Sequence, residues 1–392
     1  MKALIVGATK DIVYGCNLLK KNKIESFALD GNNQAEGFSY SDYSQVVDIS
    51  DESACIQFAK ENQIDFLLPV PVGRFITTWG AINDALNLKG ISKKMAENCA
   101  DKWRFHNKLK RDGLRNAQTY LINRKNMSVP KLNFPMILKP RFGSGSRAVS
   151  MIENQSELEA HLKDYDFSKE HFILETAVSG VEFGVDALVL NEEFHMVLLR
   201  EKVNTPPPNR QAIGYFSNYD EERFPNLRSR VEEKLKKVIE CLELDNCLLH
   251  ADVMINEEDV FVIELSPRPS GHNLHNNFTI QTTGYDMLQE FIRFQVGEPY
   301  MRMIPYTKNT ALLYFDFENV RFTDVPKNEE IEKIVGVLQA DVRLEKGTIR
   351  NMIAQGSDII NDGFVILEAP TRDEILRIYR QIKEMFKVED IV

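Results

Sequence analysis

The segment LLHADVMINEEDVFVIELSPRPSGHN, residues 248–273, constrains this chain more than any other. Two apolar runs, Leu248 to Ile255 and Val260 to Leu265, are joined by the short acidic turn Asn256–Asp259. A turn of that length predicts neighbouring antiparallel strands, whose side chains alternate between two faces. Each run carries one carboxylate, Asp252 or Glu264, and both can point at one spot. Apolar residues surround both acids, and a buried carboxylate without a cation is costly. Such a pair near phosphates is what Mg2+ prefers, with phosphate oxygens completing its shell. Arg268 follows Glu264 by four residues, past Pro267, and can reach a transferred phosphoryl group. The competing reading is two surface acids with a capping arginine. The interruption of the apolar run FVIEL by Glu264 speaks against it.

The amino terminus has a different pattern. Residues 3–7 read as a buried strand, Asp11 to Asn22 as a helix, Ser26 to Leu29 as a strand, Asp51 to Gln63 as a helix and Ile64 to Val70 as a strand. Strands alternating with helices predict βαβ units and a parallel sheet. The first turn, GATKDIVYG, lacks the glycine spacing of a dinucleotide fingerprint. A Rossmann-like layer without a nicotinamide cofactor is therefore expected, supplying one wall of a cleft.

With 392 residues, two to three domains are expected. The net charge of -10 argues against a general nucleic-acid binder, which needs a positive surface. The five cysteines are odd in number and show no zinc or redox spacing. They read as reduced thiols of a cytoplasmic protein. The run Ala3–Gly7 is too short for a signal-peptide apolar region, and no apolar stretch is long enough to span a bilayer.

Between the two ends, Ser92 to Gly113 reads as helical, and FPMILKP (134–140) as a strand followed by the glycine loop RFGSGSRAV. Glycines let backbone N–H groups approach phosphate oxygens closely. Lys139, at the end of an apolar strand, is costly unless an anion waits there. A mobile hairpin with an edge lysine is the plainer alternative for this loop taken alone, and the residue order is not that of a P-loop. Further strands are predicted at Val149–Ile152, Phe172–Glu175, Val181–Val189 and Glu193–Val203, and helices at Gln155–Leu162 and Arg228–Leu242. Residues 203–220 read as a long proline-rich loop, of the length that is functional or disordered. In HFILETAVSGVEFGVDALV, the strand and turn can offer backbone groups to adenine, and Glu182 can bond ribose hydroxyls. Any β-turn-β unit would look the same. After Pro305 short strands are expected, then a helix from Arg372 to Phe386.

The order of these features resembles the ATP-grasp superfamily: a helix with Lys102, the ILKP strand with Lys139, the glycine loop, ILETAVSGVE, then HAD…IELSPR. The resemblance covers residues 1–300. It implies an ATP-grasp fold of α/β and α+β type, with Rossmann-like residues 1–92, a helical linker 93–114, a small subdomain 115–190, a large subdomain with the metal site 191–304, and an α+β subdomain 305–392. It implies that Lys102 and Lys139 contact ATP phosphates, that Ser144, Gly145 and Ser146 cover them, that Glu175, Ala177 and Val178 frame adenine, and that Glu182 binds ribose. Asp252 and Glu264 would hold Mg2+, or Mn2+ in its place, and Arg268 would stabilise the transition state. Ser266 departs from the asparagine common at that position, which bears on a second metal ion. The loop REKVNTPPPNRQAIGYFSN and the stretch 347–382 resemble amino-acid ligases of the bacilysin-pathway kind and, more distantly, biotin carboxylase. An ordinary exposed connection is the alternative for the loop.

The implied activity joins a small carboxylate to an amine through an acyl phosphate, with amino acids as substrates. The alternative is a bicarbonate-activating carboxylase or purine-pathway enzyme. Ser270, Gly271, Asn273 and Tyr215 are expected at the substrate. His272 is either the base that deprotonates the amine or a substrate contact. Arg74 and Arg210 can pair with a substrate carboxylate or be surface charges. Small molecules are the expected partners, with neither nucleic acid nor membrane. Homodimers are common in the resembled family.

Overall fold

The computed structural model describes residues 1–73, 75–122, 132–143, 148–163, 171–206, 211–257, 259–353 and 356–391. At the amino terminus, β1 (Lys2–Val6), β2 (Glu25–Asp30), β3 (Tyr43–Val46) and β4 (Phe66–Leu67) form a parallel sheet in the order β3-β2-β1-β4. Ala3, Leu4, Ile5 and Val6 are all buried, as a parallel strand covered on both faces requires. Helices α1 (Ile12–Lys21) and α2 (Glu52–Glu61) cross between strands. Asp51 caps α2 by accepting from the Ala54 N–H. The strand expected over 64–70 pairs only at Phe66–Leu67, ahead of Pro69 and Pro71. The strand order reverses between β1 and β4, so the residues after Val6 and after Leu67 flank the crevice where such sheets accept ligands.

The helical stretch after α3 (Ile76–Leu86) is two helices, not one: α4 (Lys93–Ala100) and α5 (Lys102–Arg111). Asp101 separates them. Its backbone is extended, and its carboxylate accepts from the N–H groups of Trp103 and Arg104, which starts α5 afresh. The same carboxylate binds Arg141 at 2.5 Å, and this fixes the start of α5 beside the glycine loop.

Strands β5 (Thr119–Ile122), β6 (Met136–Pro140), β7 (Ser150–Ile152) and β8 (Phe172–Thr176) form an antiparallel sheet in the order β5-β8-β6-β7. Leu158 and Leu162 of α6 (Gln155–Lys163) pack with Met136, Leu138, Phe172 and Leu174 in its own apolar core.

The largest sheet takes β9 (Val181–Leu190), β10 (Glu193–Asn204), β11 (Ala212–Phe216), β12 (Cys247–Ile255) and β13 (Val260–Ser266). The remaining strands are β14 (Thr310–Tyr314), β15 (Val320–Asp324), β16 (Val337–Val342), β17 (Ile349–Arg350), β18 (Gly363–Glu368) and β19 (Lys387–Asp390). The order is β13-β12-β9-β10-β11-β14-β18-β16, with β17-β15-β19 as a separate small sheet. Three findings differ from the sequence reading. The strand 181–190 pairs in this large sheet, not with the smaller one before it. The long loop 203–220 contains β11, so it is not irregular throughout. The strands after residue 305 continue the large sheet through the β11–β14 pairing. A Cβ on Gly214 would sit 2.5 Å from Leu313 Cδ2, so that position favours glycine where the two segments join. Helix α7 (Leu227–Leu242) buries Val231, Leu235, Val238 and Leu242 with the apolar residues of β9 and β12. No helix among the described residues is long and apolar enough to cross a membrane.

Candidate functional site

One face of the large sheet carries a grid of charged side chains. Strand pairing, with the Lys202–Glu182 ion pair, sets three rows. The first runs Tyr215, Lys202, Glu182, Met254 and Phe261; the second Arg200, Gly184, Asp252 and Glu264; the third Asp186, His250 and Ser266. Asp252 and Glu264 are directly paired. Simple alternation would not give this. From Ile255–Val260, Met254–Phe261 and Val253–Val262, the next partner of Asp252 would be Ile263. A bulge at Ile263 inserts one extra residue, so Glu264 faces Asp252 instead of the opposite side. The convergence inferred from the sequence is present, and the bulge that produces it was not foreseen.

Asp252 and Glu264 are both half-buried. Among the described residues no group of three His, Cys, Asp or Glu side chains could hold a metal ion. A hard divalent cation held by this pair therefore needs water or phosphate oxygens, which is the donor set Mg2+ takes. The carboxylates fit that ion.

Lys202, which the sequence reading did not single out, lies 2.5 Å from Glu182 Oε1 and 3.7 Å from Asp252 Oδ2. Burial opposes its charge, but Asp252 and Glu182 raise its pKa well above the ordinary value. Asn204 donates to the other Glu182 oxygen at 2.9 Å. The Glu182 carboxylate, expected at a ribose, is thus already engaged on both oxygens. Beneath, Arg200 and Asp186 are fully buried and paired at 2.6 Å, and Thr279 donates to Asp186 at 2.7 Å. A Cβ on Gly184 would meet the Arg200 guanidinium at 3.1 Å, so glycine leaves the space through which Arg200 crosses β9. His250 joins this pair to the acids above: Nδ1 is 3.6 Å from Asp186 and Nε2 is 3.7 Å from Asp252. Burial raises the Asp186 pKa, but Arg200, His250 and Thr279 hold it below the ordinary value.

The smaller sheet brings the lysines. Lys139 is buried, and its Nζ lies 2.5 Å from Glu175 Oε1. Arg115 and His106 take Oε2 at 2.5 and 3.2 Å. Glu175, expected at adenine, has its carboxylate closed by three side chains. The Ala177 N–H donates to the Pro135 carbonyl, so that amide is also engaged. Val178 is half-buried. Lys102 donates to the Gly143 carbonyl at 2.5 Å, and burial lowers its pKa. Glu264, Lys139 and Glu175 all act on Lys102, so the two sheets and α5 meet at one place. Ser144, Gly145, Ser146, Arg74 and Arg210 lie outside the described residues.

After β13 the chain folds over the amino-terminal crevice. Arg268 donates to the Pro269 carbonyl at 2.8 Å and feels the charges of Glu264, Asp252 and Asp11. Ser270 is fully buried, with its carbonyl accepting from His275 Nδ1. Gly271 lies against Pro71: a Cβ there would be 3.6 Å from the proline. His272 and Asn273 both have left-handed backbones, at φ 59° and 64°. His272 is partly open to solvent but its imidazole is densely surrounded by protein, and its carbonyl accepts from the Tyr314 hydroxyl at 2.8 Å. Burial lowers the His272 pKa; Arg268, His250 and Lys202 act the same way and Asp11 opposes them. Asn273 accepts from Asn277 at 3.4 Å. Tyr215 is buried opposite Lys202.

Lys102, Lys139, Asp252, Glu264 and Arg268 are thus brought together. Lys202, Arg200, Asp186, His250 and Arg115 were missed. A signal existed for some of them: Arg200 and Lys202 are alternate charges following the apolar run MVLL, and Asp186 breaks the apolar run of β9.

Residues 99–272 match the family model of the ATP-grasp domain. The chain carries an ATP-grasp domain. Whole-chain similarity to solved structures agrees. An L-amino acid ligase from Bacillus licheniformis superposes with TM-score 0.82 at 16% identity, over 100% of this chain and 99% of that one. A phosphoribosylglycinamide synthetase from Anaerococcus prevotii gives 0.76 at 18%, over 99% of each chain. The biotin carboxylase domain of Hydrogenobacter thermophilus 2-oxoglutarate carboxylase, solved with MgADP and bicarbonate, gives 0.71 at 15%, over 100% of this chain and 91% of that one. The ATP-grasp fold therefore extends through the Rossmann-like sheet and the carboxy-terminal strands. Within it, the bulged hairpin β12–β13 is the element that presents two carboxylates beside the lysines.

Proposed function

We propose that this chain is an ATP-dependent ligase that joins the carboxylate of one small molecule, an amino acid, to the amine of another, releasing ADP and phosphate. The pairing of Asp252 with Glu264 beside Arg268, with Lys102 and Lys139 opposite, carries the reading. Lys102 and Lys139 bind ATP phosphates, the chain around 175–178 borders the base, and Asp252 with Glu264 holds Mg2+. The metal, when bound, neutralises charge on the phosphates. The substrate carboxylate attacks the γ-phosphorus in line, giving an acyl phosphate and ADP. An amine then displaces phosphate to form the amide.

The protein's part is positioning and electrostatics. Arg268 offers its guanidinium to the transferred phosphoryl and to the oxyanion that follows. The segment Ser270–Asn273, folded over the amino-terminal crevice, excludes water from the acyl phosphate. His272, with its lowered pKa, is neutral near pH 7 and able to take the proton of the attacking ammonium. Asp11, acting on Arg268 and His272, sets a negative charge near a positive one, an arrangement that suits the ammonium and carboxylate of an amino acid.

A screen of amino acids singly and in pairs, read by ADP release, tests this. ADP formation that requires two amino acids, with the dipeptide found by mass spectrometry, supports it. Release that depends on bicarbonate and not on amino acids would favour the carboxylase or purine-pathway alternative.

A further inference from the structure

Arg115 lies in the segment between α5 and β5 and is buried, with 3% of its surface exposed. One guanidinium nitrogen donates to Glu175 Oε2 at 2.5 Å. A second donates to the Val262 carbonyl at 3.0 Å. Its guanidinium carbon lies over the Phe261 ring, 4.2 Å from the ring centre. One side chain thus ties the small sheet, at the carboxylate that also holds Lys139, to β13 of the large sheet. It does so at Val262, immediately before the bulged residue Ile263. A bulge interrupts the ladder there, and β13 is the edge strand of the sheet, paired to β12 on one side. A slip by one residue would turn Glu264 to the opposite face.

We propose that Arg115 is a positioning residue for Glu264: it fixes the Ile263 bulge, and so the direction of the metal-binding carboxylate, and ties that geometry to the Lys139–Glu175 pair. The inference rests on the metal role proposed for Glu264. Fork geometry and stacking are both used. A lysine, which is a point charge, can replace neither. The residue touches no reacting atom.

The test compares the full-length protein with Arg115→Lys and Arg115→Met. Each is checked by thermal melting, then titrated calorimetrically with ADP in the presence of Mg2+ and again in EDTA. Hydrogen exchange is followed in the peptide spanning 260–266. Both variants should bind MgADP about 10–100-fold more weakly, the range seen when a supporting partner of a metal ligand is lost. Both should lose most of the gain that Mg2+ gives over EDTA, and exchange in 260–266 should rise. Lysine should fail to rescue. If Arg115→Met does not fold, Arg115→Lys carries the test. A folded variant with wild-type MgADP binding and wild-type exchange in 260–266 would overturn the inference. A wild-type protein that gains nothing from Mg2+ over EDTA would instead overturn the proposed metal role, and this inference with it.

Discussion

Asp252 and Glu264 are paired across two antiparallel strands only because Ile263 is an extra residue in β13. The carboxylates share a face through a backbone irregularity, not through strand alternation. Removing one should therefore disable the site without disturbing the core. Glu264→Gln is expected to lower ADP release at least about 100-fold, the scale of losing one electrostatic group in a transition state. Its melting temperature should stay close to wild type. Steady-state assays and a thermal melt check this.

Gly184 lies where the Arg200 guanidinium crosses β9. Gly184→Ala should push that group aside and destabilise the protein by about 1–3 kcal/mol, as overpacking does. Denaturant titration reads the change.

Arg200 and Asp186 are both fully buried. Arg200→Met leaves an uncompensated carboxylate and should cost about 3–5 kcal/mol. The Asp186 pKa is depressed in the folded state, so its contribution is present above the ordinary aspartate value of about 3.9 and is lost as pH falls toward the folded value. Wild-type stability should drop through that window, and part of the drop should be missing in Arg200→Met. Melts between neutral and strongly acidic pH test the sign.

Burial holds the His272 pKa below the usual histidine value of about 6.5. If the imidazole takes the proton of the amine, the acidic limb of kcat/KM should fall below that value. It should vanish in His272→Gln. An unchanged pH profile in that variant would leave His272 as a substrate contact.

The sequence was informative where a signal is local. The hairpin was readable because four turn residues separate two apolar runs, and Lys139 because it ends an apolar strand. The Ile263 bulge was not readable, since one extra apolar residue among Phe261, Val262 and Ile263 leaves no mark in the sequence. Strand β11 was hidden because prolines and polar residues precede it, and only its pairing with β10 and β14 makes it a strand. Asp101 interrupts a helix-forming run with one ordinary cap residue, so α4 and α5 read as one element. Arg115 carried no local signal: its partners Glu175 and Val262 lie 60 and 147 residues further along.

The most direct measurement is Mn2+ binding in the presence of ADP, followed by electron paramagnetic resonance, in the wild type, Asp252→Asn and Glu264→Gln. A bound Mn2+ signal is expected in the wild type, with a large loss in each variant. Equal Mn2+ binding in all three proteins would contradict it.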